Sequence, residues 1–322
     1  MTERTKGRGV LTLAFGEERF INMAKALARS LSIHDPDVPR AIVTDSEDPE
    51  LRDLFTYCIP YRTEYGGNVR QKMYLDLYSP FDETLFIDSD CLVVHNLDPF
   101  WAAFREVPFG VCGNPRVLRA GEEDEYLDVD FLLQRFSLDG LPKFNGGTYY
   151  FKRSPEASAV FETGRALLED YRALRFKEFR GGGPPDEPLY STAMAIHGLS
   201  ITYMGEGGMF TPINSSGPIV LDVLRGVCHF VKEGRPVKPH VIHFATVWSE
   251  IYLYRRESLR LLKFSQSPAR GISAADPSLL EVGRLWVERI QERIPRLFRG
   301  VMRRVRARTA GARGRIGVSQ AR

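Results

Sequence analysis

The chain has 322 residues, 44 Lys and Arg against 41 Asp and Glu, a formal net charge of +3, 43% hydrophobic and 11% aromatic residues. That is enough apolar material for a full core and excludes wholesale disorder, and no apolar run approaches the roughly 20 residues that span a bilayer. The polar stretch Met1 to Gly9 has no apolar signal segment behind it, which predicts a cytoplasmic protein.

The four cysteines, Cys58, Cys91, Cys112 and Cys228, form no CxxC pair. They offer neither a zinc site nor a redox motif, and three lie among apolar neighbours as small buried hydrophobes. The charge is unevenly placed. Residues 293–322 contain ten arginines and no acid, so the rest of the chain is net acidic. Such a body predicts no nucleic-acid partner.

Val10 to Phe15 reads as a buried first strand, bounded by Gly9 and Gly16. Residues 17–32 follow with helical spacing of Phe20, Ile21, Met23, Ala24, Leu27, Ala28 and Leu31. Ala41 to Val43 is a second strand ending at Thr44-Asp45, residues 68–78 are helical, and Leu85 to Ile87 is a third clear strand ending at Asp88. A helix near 98–105, a strand near 109–112, a loop over 121–143, a strand at 148–151 and a helix at 155–175 continue the alternation. The pattern indicates an α/β sheet with crossover connections. Ligands of such sheets bind beyond the carboxyl ends of the strands. This places Phe15-Gly16, Asp45 and Asp88 to Asp90 on one rim. Gly181 to Pro185 is a glycine- and proline-rich hinge, after which Asp186 can cap a helix running to about His197. From about residue 266 the character changes. Asp276-Pro277 looks like a cap and first turn, followed by an apolar stripe of Leu279, Leu280, Val282, Leu285, Trp286 and Ile290.

Asp88 and Asp90 flank Ser89 directly after an apolar strand. Two carboxylates two residues apart project to one side of an extended backbone and repel each other. A hard divalent cation, Mn2+ or Mg2+, resolves this and can hold a diphosphate. A capping turn with a solvated Asp90 explains the pair equally simply. A phosphatase of the haloacid-dehalogenase type uses similar aspartates, but Cys91-Leu92 follow here and two βα units precede.

Leu85-Phe86-Ile87-Asp88-Ser89-Asp90-Cys91-Leu92-Val93 resembles the metal motif of glycosyltransferase family 8, a retaining group that includes glycogenin-like and lipopolysaccharide galactosyltransferase-like enzymes. Lys72, sixteen residues earlier, Phe144-Asn145-Gly146-Gly147 before a strand, Asp186-Glu187 opening a helix, and His243 after Val241-Ile242 are similar to further motifs of that family in the same order. The resemblance covers residues 10 to 255. It implies a single GT-A type, Rossmann-like domain with a mixed central sheet over residues 1–265. Residues 266–322 are then a helical, Arg-rich extension.

It also implies transfer of a hexose from a nucleotide-diphosphate sugar, UDP-linked, to a saccharide, lipid-linked or protein acceptor. Asp88, Asp90 and His243 are the implied metal ligands, and Lys72, Asp186 and Glu187 the implied catalytic groups. Ala14, Phe15, Asp45, Arg70, Lys72, Asp88, Ser89, Asn145, Gly146 and Gly147 are the implied donor-binding set.

The residues permit the same roles. Arg70 and Lys72 on one helix can approach a diphosphate from one side. Phe15 or Phe20 can pack on the base. The chain departs from the family after His243, where Thr246 and Ser249 stand in place of a glycine and a phosphate-binding lysine. Arg255, Arg256 or Arg70 can substitute. That departure also fits a catalytically silent nucleotide-sugar-binding or partner-binding module. In the tail, Ile294, Leu297, Phe298, Val301 and Val305 recur at helical spacing between arginines, which suits peripheral binding to an anionic membrane surface and equally a solvated, partly disordered terminus.

Overall fold

The computed structural model describes residues 7–179, 183–245 and 251–287. The chain forms two compact units that divide after residue 247. The sequence-based boundary at residue 265 lies later, so the helix Ile251–Gln266 falls in the second unit.

In the first unit, β1 (Arg8–Leu13) leads to α1 (Glu18–His34), β2 (Arg40–Thr44) and β3 (Tyr57–Pro60). Then come β4 (Glu83–Ile87), β5 (Cys91–Val93), β6 (Phe109–Gly110), β7 (Thr148–Lys152), α2 (Pro155–Glu169) and α3 (Asp186–Ile196). Strands β8 (Met209–Phe210) and β9 (Val241–His243) close it.

The central sheet has the order β3-β2-β1-β4-β7-β6. The first four strands are parallel, with Val10 beside Arg40 on one side and Leu85 on the other. Strand β7 runs antiparallel to both of its neighbours, with Ile87 opposite Thr148. The mixed central sheet expected from the sequence is present.

Both faces of this sheet are buried, as parallel strands require. Leu11, Phe86, Tyr149 and Phe151 share one cluster with Phe161 of α2 and Tyr190 of α3. Val10, Leu85, Ile87 and Tyr150 share the other with Leu27 and Leu31 of α1. A second, three-stranded sheet has the order β8-β9-β5, with His243 opposite Cys91. An antiparallel meander of Ser215–Asp222, Val227–Lys232 and Arg235–Val237 lies outside both.

Several elements differ from the sequence reading. Strand β3 was not expected. Its burial alternates, Cys58 is exposed and Pro60 ends it, all features of an edge strand. The strand before Asp88 is therefore the fourth. Residues 68–78 are a 3-10 turn over Asn68–Tyr74 followed by one α turn, Leu75–Tyr78. The loop expected over 121–143 contains a helix, Val129–Phe136, capped by the Asp128 carboxylate. The helix after Pro155 stops at Glu169 rather than 175, and Arg175 has a left-handed φ of 60°. Cys91, Cys112 and Cys228 are buried.

The second unit contains α4 (Ile251–Gln266). Glu257 is fully buried and pairs with Arg260 at 3.0 Å, and Arg260 also donates to Asp276 at 2.9 Å. Asp276 is thus drawn to α4 and does not cap the following helix. Ser278 does: its N–H donates to Glu281 and its hydroxyl accepts from the Glu281 N–H, the reciprocal bonding of a capping box. Leu285 is buried, whereas Leu279 and Leu280 are 91% and 81% exposed, so the apolar stripe is not one buried face. Ile290 and the arginine-rich tail lie outside the described residues.

Gly9 lies inside β1 rather than before it. A Cβ there would fall 2.5 Å from the ring of buried Phe81. Gly9→Ala is expected to lower stability by about 1–3 kcal/mol, the usual cost of overpacking, measured as a shift of the urea midpoint without a change in slope.

Candidate active site

The site is built where β4, β7, β9 and α3 end or begin. Strand β4 delivers Asp88, and the antiparallel β7 brings the turn before it alongside. The Asp88 N–H donates to Gly147 O at 2.9 Å. The pairing of β5 with β9 sets His243 next to Asp90, whose carbonyl accepts from the Phe244 N–H. The start of α3 adds Asp186 and Glu187.

Lys72 stands at the centre. Its Nζ lies 2.8 Å from Asp88 Oδ2, 3.0 Å from Asp186 Oδ2 and 3.4 Å from Gly146 O. Burial works against its charge, but the carboxylates of Asp186 and Asp88 outweigh this and raise its pKa above the usual lysine value. The backbone of Lys72 is itself anchored, because the Tyr190 hydroxyl donates to its carbonyl at 2.6 Å.

Burial raises the Asp88 pKa, and Asp90 and Asp186 add to the rise, while Lys72 and His243 oppose it. His243 is desolvated, yet Asp90 and Asp88 raise its pKa. Its Nε2 is 3.2 Å from Asp90 Oδ1 and 3.7 Å from Asp88 Oδ2.

Two carboxylates and an imidazole nitrogen converge here, an oxygen-rich donor set that fits Mn2+ or Mg2+. The Cys91 thiol lies with Asp90 and His243 within 4.8 Å. Burial, then the Asp90 and Asp88 charges, push its pKa well above the ordinary thiol value. Soft sulfur suits a hard cation such as Mn2+ or Mg2+ less well than carboxylate oxygen or imidazole nitrogen, and Cys91 Sγ is directed at Gly147 O at 3.7 Å.

Asp186 is not the helix cap that its sequence position suggested. The capping position is Pro185, and Asp186 is the first helical residue without a cap bond. Its buried Oδ2 accepts from both Lys72 and the Tyr149 hydroxyl, the latter at 2.6 Å. Glu187 accepts from the Gly146 N–H at 2.8 Å, and burial followed by the Asp186 charge raises its pKa. The glycines are required by space. A Cβ on Gly146 would lie 2.5 Å from the Tyr149 hydroxyl and 2.8 Å from Asp186 Oδ2, and one on Gly147 would lie 2.4 Å from His243 Nδ1. Ser89 is buried between the two aspartates.

On the same rim, Ala14 is buried and Phe15 packs on Tyr61 with ring centroids 4.5 Å apart. Gly16, at φ +77°, donates its N–H to both Asp45 oxygens at 3.0 and 3.1 Å. Phe20 is partly buried and packs against the cluster of Ala14, Ile21 and Leu51, with the Arg19 guanidinium over its ring. Arg70 and Lys72 do not share a side. A 3-10 turn has three residues per turn, so positions two apart diverge. Lys72 reaches the carboxylates, whereas Arg70 Nη2 lies 3.1 Å from where a Gly183 Cβ would be. Arg255 and Arg256 lie on α4 in the second unit, and Thr246 and Ser249 lie outside the described residues.

Sequence reasoning missed Tyr61, Tyr149 and Tyr190. The available signal for Tyr149 and Tyr190 was a tyrosine inside a segment read as a buried strand or helix, whose hydroxyl must find a partner.

No family model and no curated protein matches the sequence. Solved structures do. The galactosyltransferase LgtC, bound to donor and acceptor sugar analogues, is 14% identical over 76% of this chain and 88% of its own, with a TM-score of 0.45. The bifunctional glycosyltransferase WbbM in its apo form is 15% identical over 86% of this chain and 52% of its own, at 0.48. The apo form of mouse xyloside xylosyltransferase 1 is 16% identical over 75% and 98%, at 0.44. The chain is similar to glycosyltransferases of known structure.

Lys72→Met leaves Asp88 and Asp186 buried without their cation and is expected to cost about 3–5 kcal/mol. The raised lysine pKa keeps the wild-type contribution present throughout the range below 10.5. Asp88, with its pKa raised, takes up a proton as pH falls. The gap between variant and wild type should therefore be wider at about pH 8 than at about pH 5, measured by urea unfolding in chelator.

Proposed function

We propose that this chain is a metal-dependent glycosyltransferase that moves a hexose from a nucleotide-diphosphate sugar, with uridine as the nucleotide, to an acceptor hydroxyl with retention of configuration. The observation that carries this reading is the convergence of Asp88, Asp90, His243, Lys72, Asp186 and Glu187 in one pocket beyond the carboxyl end of β4. Nothing in the fold requires so many buried charges in one place. A strand-end turn with a solvated Asp90, the bland alternative, explains neither His243 nor Lys72.

Asp88, Asp90 and His243 would hold Mn2+ or Mg2+, which supplies positive charge to a departing diphosphate. Lys72 adds a fixed ammonium beside that leaving group, oriented by Tyr190. Asp186, held through Oδ2 by Lys72 and Tyr149, keeps its other oxygen for a hydroxyl of the donor sugar. Glu187, its pKa raised and its position held by the Gly146 N–H, faces the same space. Gly146 and Gly147 leave room for Tyr149, Asp186 and the His243 ring to stand beside that sugar. Phe15 with Tyr61 forms an apolar platform for a base, and Asp45 fixes the Gly16 turn beside it. The acceptor is a saccharide, a lipid-linked saccharide or a protein.

The arginine-rich residues 293–322 would hold the enzyme on an anionic membrane surface, where a lipid-linked acceptor is presented. No helix among the described residues is long and apolar enough to cross a membrane.

Two measurements test these assignments. Donor hydrolysis or transfer, screened over nucleotide sugars with Mn2+ present, should fall at least about 100-fold in Asp90→Ala; unchanged activity and metal dependence in that variant would sink the reading. Full-length protein should pellet with phosphatidylserine vesicles and the 1–292 protein should not. Equal pelleting removes the membrane role of the tail and leaves the catalytic assignment intact.

A further inference from the structure

Asn145 belongs by its sequence motif with the residues around a donor sugar, yet its side chain is turned away to another task. Its Oδ1 accepts from the Gly147 N–H at 3.2 Å and meets His243 Nδ1 at 2.5 Å. The two contacts together settle the protonation pattern. A backbone N–H can only donate, so the amide atom facing Gly147 is the oxygen. That oxygen can only accept, so Nδ1 of His243 must carry a proton. In the neutral ring, Nε2 then holds the lone pair, and Nε2 is the atom directed at Asp90 and Asp88.

The ring is fixed on its other side as well. A Cβ on Gly147 would stand 2.4 Å from Nδ1, so the imidazole lies directly against bare backbone. His243 is buried, with 7% of its side chain exposed. Rotation of the ring would take Nδ1–H away from Asn145 Oδ1. Asn145, Gly147 and the imidazole thus interlock.

We infer that Asn145 is a positioning residue for His243, which locks the imidazole in the tautomer and orientation that present Nε2 to a divalent cation. The inference rests on the metal-site reading above. Histidines that bind metals commonly donate their second ring N–H to a fixed acceptor, and loss of that acceptor weakens binding about 10- to 100-fold. Asn145 would supply that acceptor from the turn before β7, so that one amide couples the glycine turn to the metal ligands.

The test is binding of Mn2+ alone, without nucleotide, followed by the electron paramagnetic resonance signal of the free ion. Asn145→Ala removes the acceptor and should weaken Mn2+ binding about 10- to 100-fold. Asn145→Asp keeps two acceptor oxygens in the same place and should recover most of the wild-type affinity, which a general packing defect would not allow. Wild-type affinity in Asn145→Ala overturns the inference alone. So does an Asp variant as weak as the Ala variant. If Asn145 served only to bind a sugar, both variants would bind Mn2+ as the wild type does. A wild-type protein that binds no Mn2+ overturns the metal site itself and this inference with it.

Discussion

Three carboxylates, Asp88, Asp90 and Asp186, share one cluster, and the ammonium of Lys72 is what makes their company tolerable. Like charges in a partly desolvated space push each other toward protonation. Lys72 touches two of the three at 2.8 and 3.0 Å and is in turn held by Tyr190 through its own carbonyl. The rest of the site is arranged around that contact. The 3-10 turn that carries Lys72 must lie against α3. Strand β4 must end where its Asp88 meets the cation. The start of α3 must place Asp186 on the other side.

The tolerance is incomplete, and that is chemically useful. Among the described residues, Asp90 is paired with no lysine. Its neighbour is His243, a weaker and conditional cation. The pocket therefore holds excess negative charge on the side of Asp90, where oxygen and imidazole donors converge. Cys91, next in the chain, lies beside them within 4.8 Å, but its soft sulfur suits a hard cation less well than those donors do. The same geometry that relieves repulsion on one side of Asp88 leaves a cation-hungry face on the other.

The glycines of the 145–147 turn show how closely the pieces are fitted. Neither Gly146 nor Gly147 has a positive φ. Their lack of a side chain is demanded by neighbours: Tyr149 and Asp186 against Gly146, and the His243 ring against Gly147. A glycine pair that reads in sequence as an ordinary turn is, in three dimensions, a contact surface between two parts of the site.

The sequence alone determined the alternation of strands and helices and the apolar strand that ends at Asp88, because burial leaves a periodic mark on the residues themselves, whereas the candidate ligand set came from the resemblance of short motifs to glycosyltransferase family 8. It did not disclose β3, whose edge position leaves a mixed pattern, nor the short helix Val129–Phe136 in a polar segment. It put Asp186 at a helix cap and Arg70 beside Lys72, since local spacing cannot show which distant group claims a side chain. Only the tertiary structure decided that Asp186 faces Lys72 and Tyr149, that Asn145 faces His243, and that Phe20 packs beside Ala14, Ile21 and Leu51. The physical reason is common to all three. A polar or aromatic side chain is settled by partners brought together from far along the chain, and no periodicity in the sequence records who those partners are.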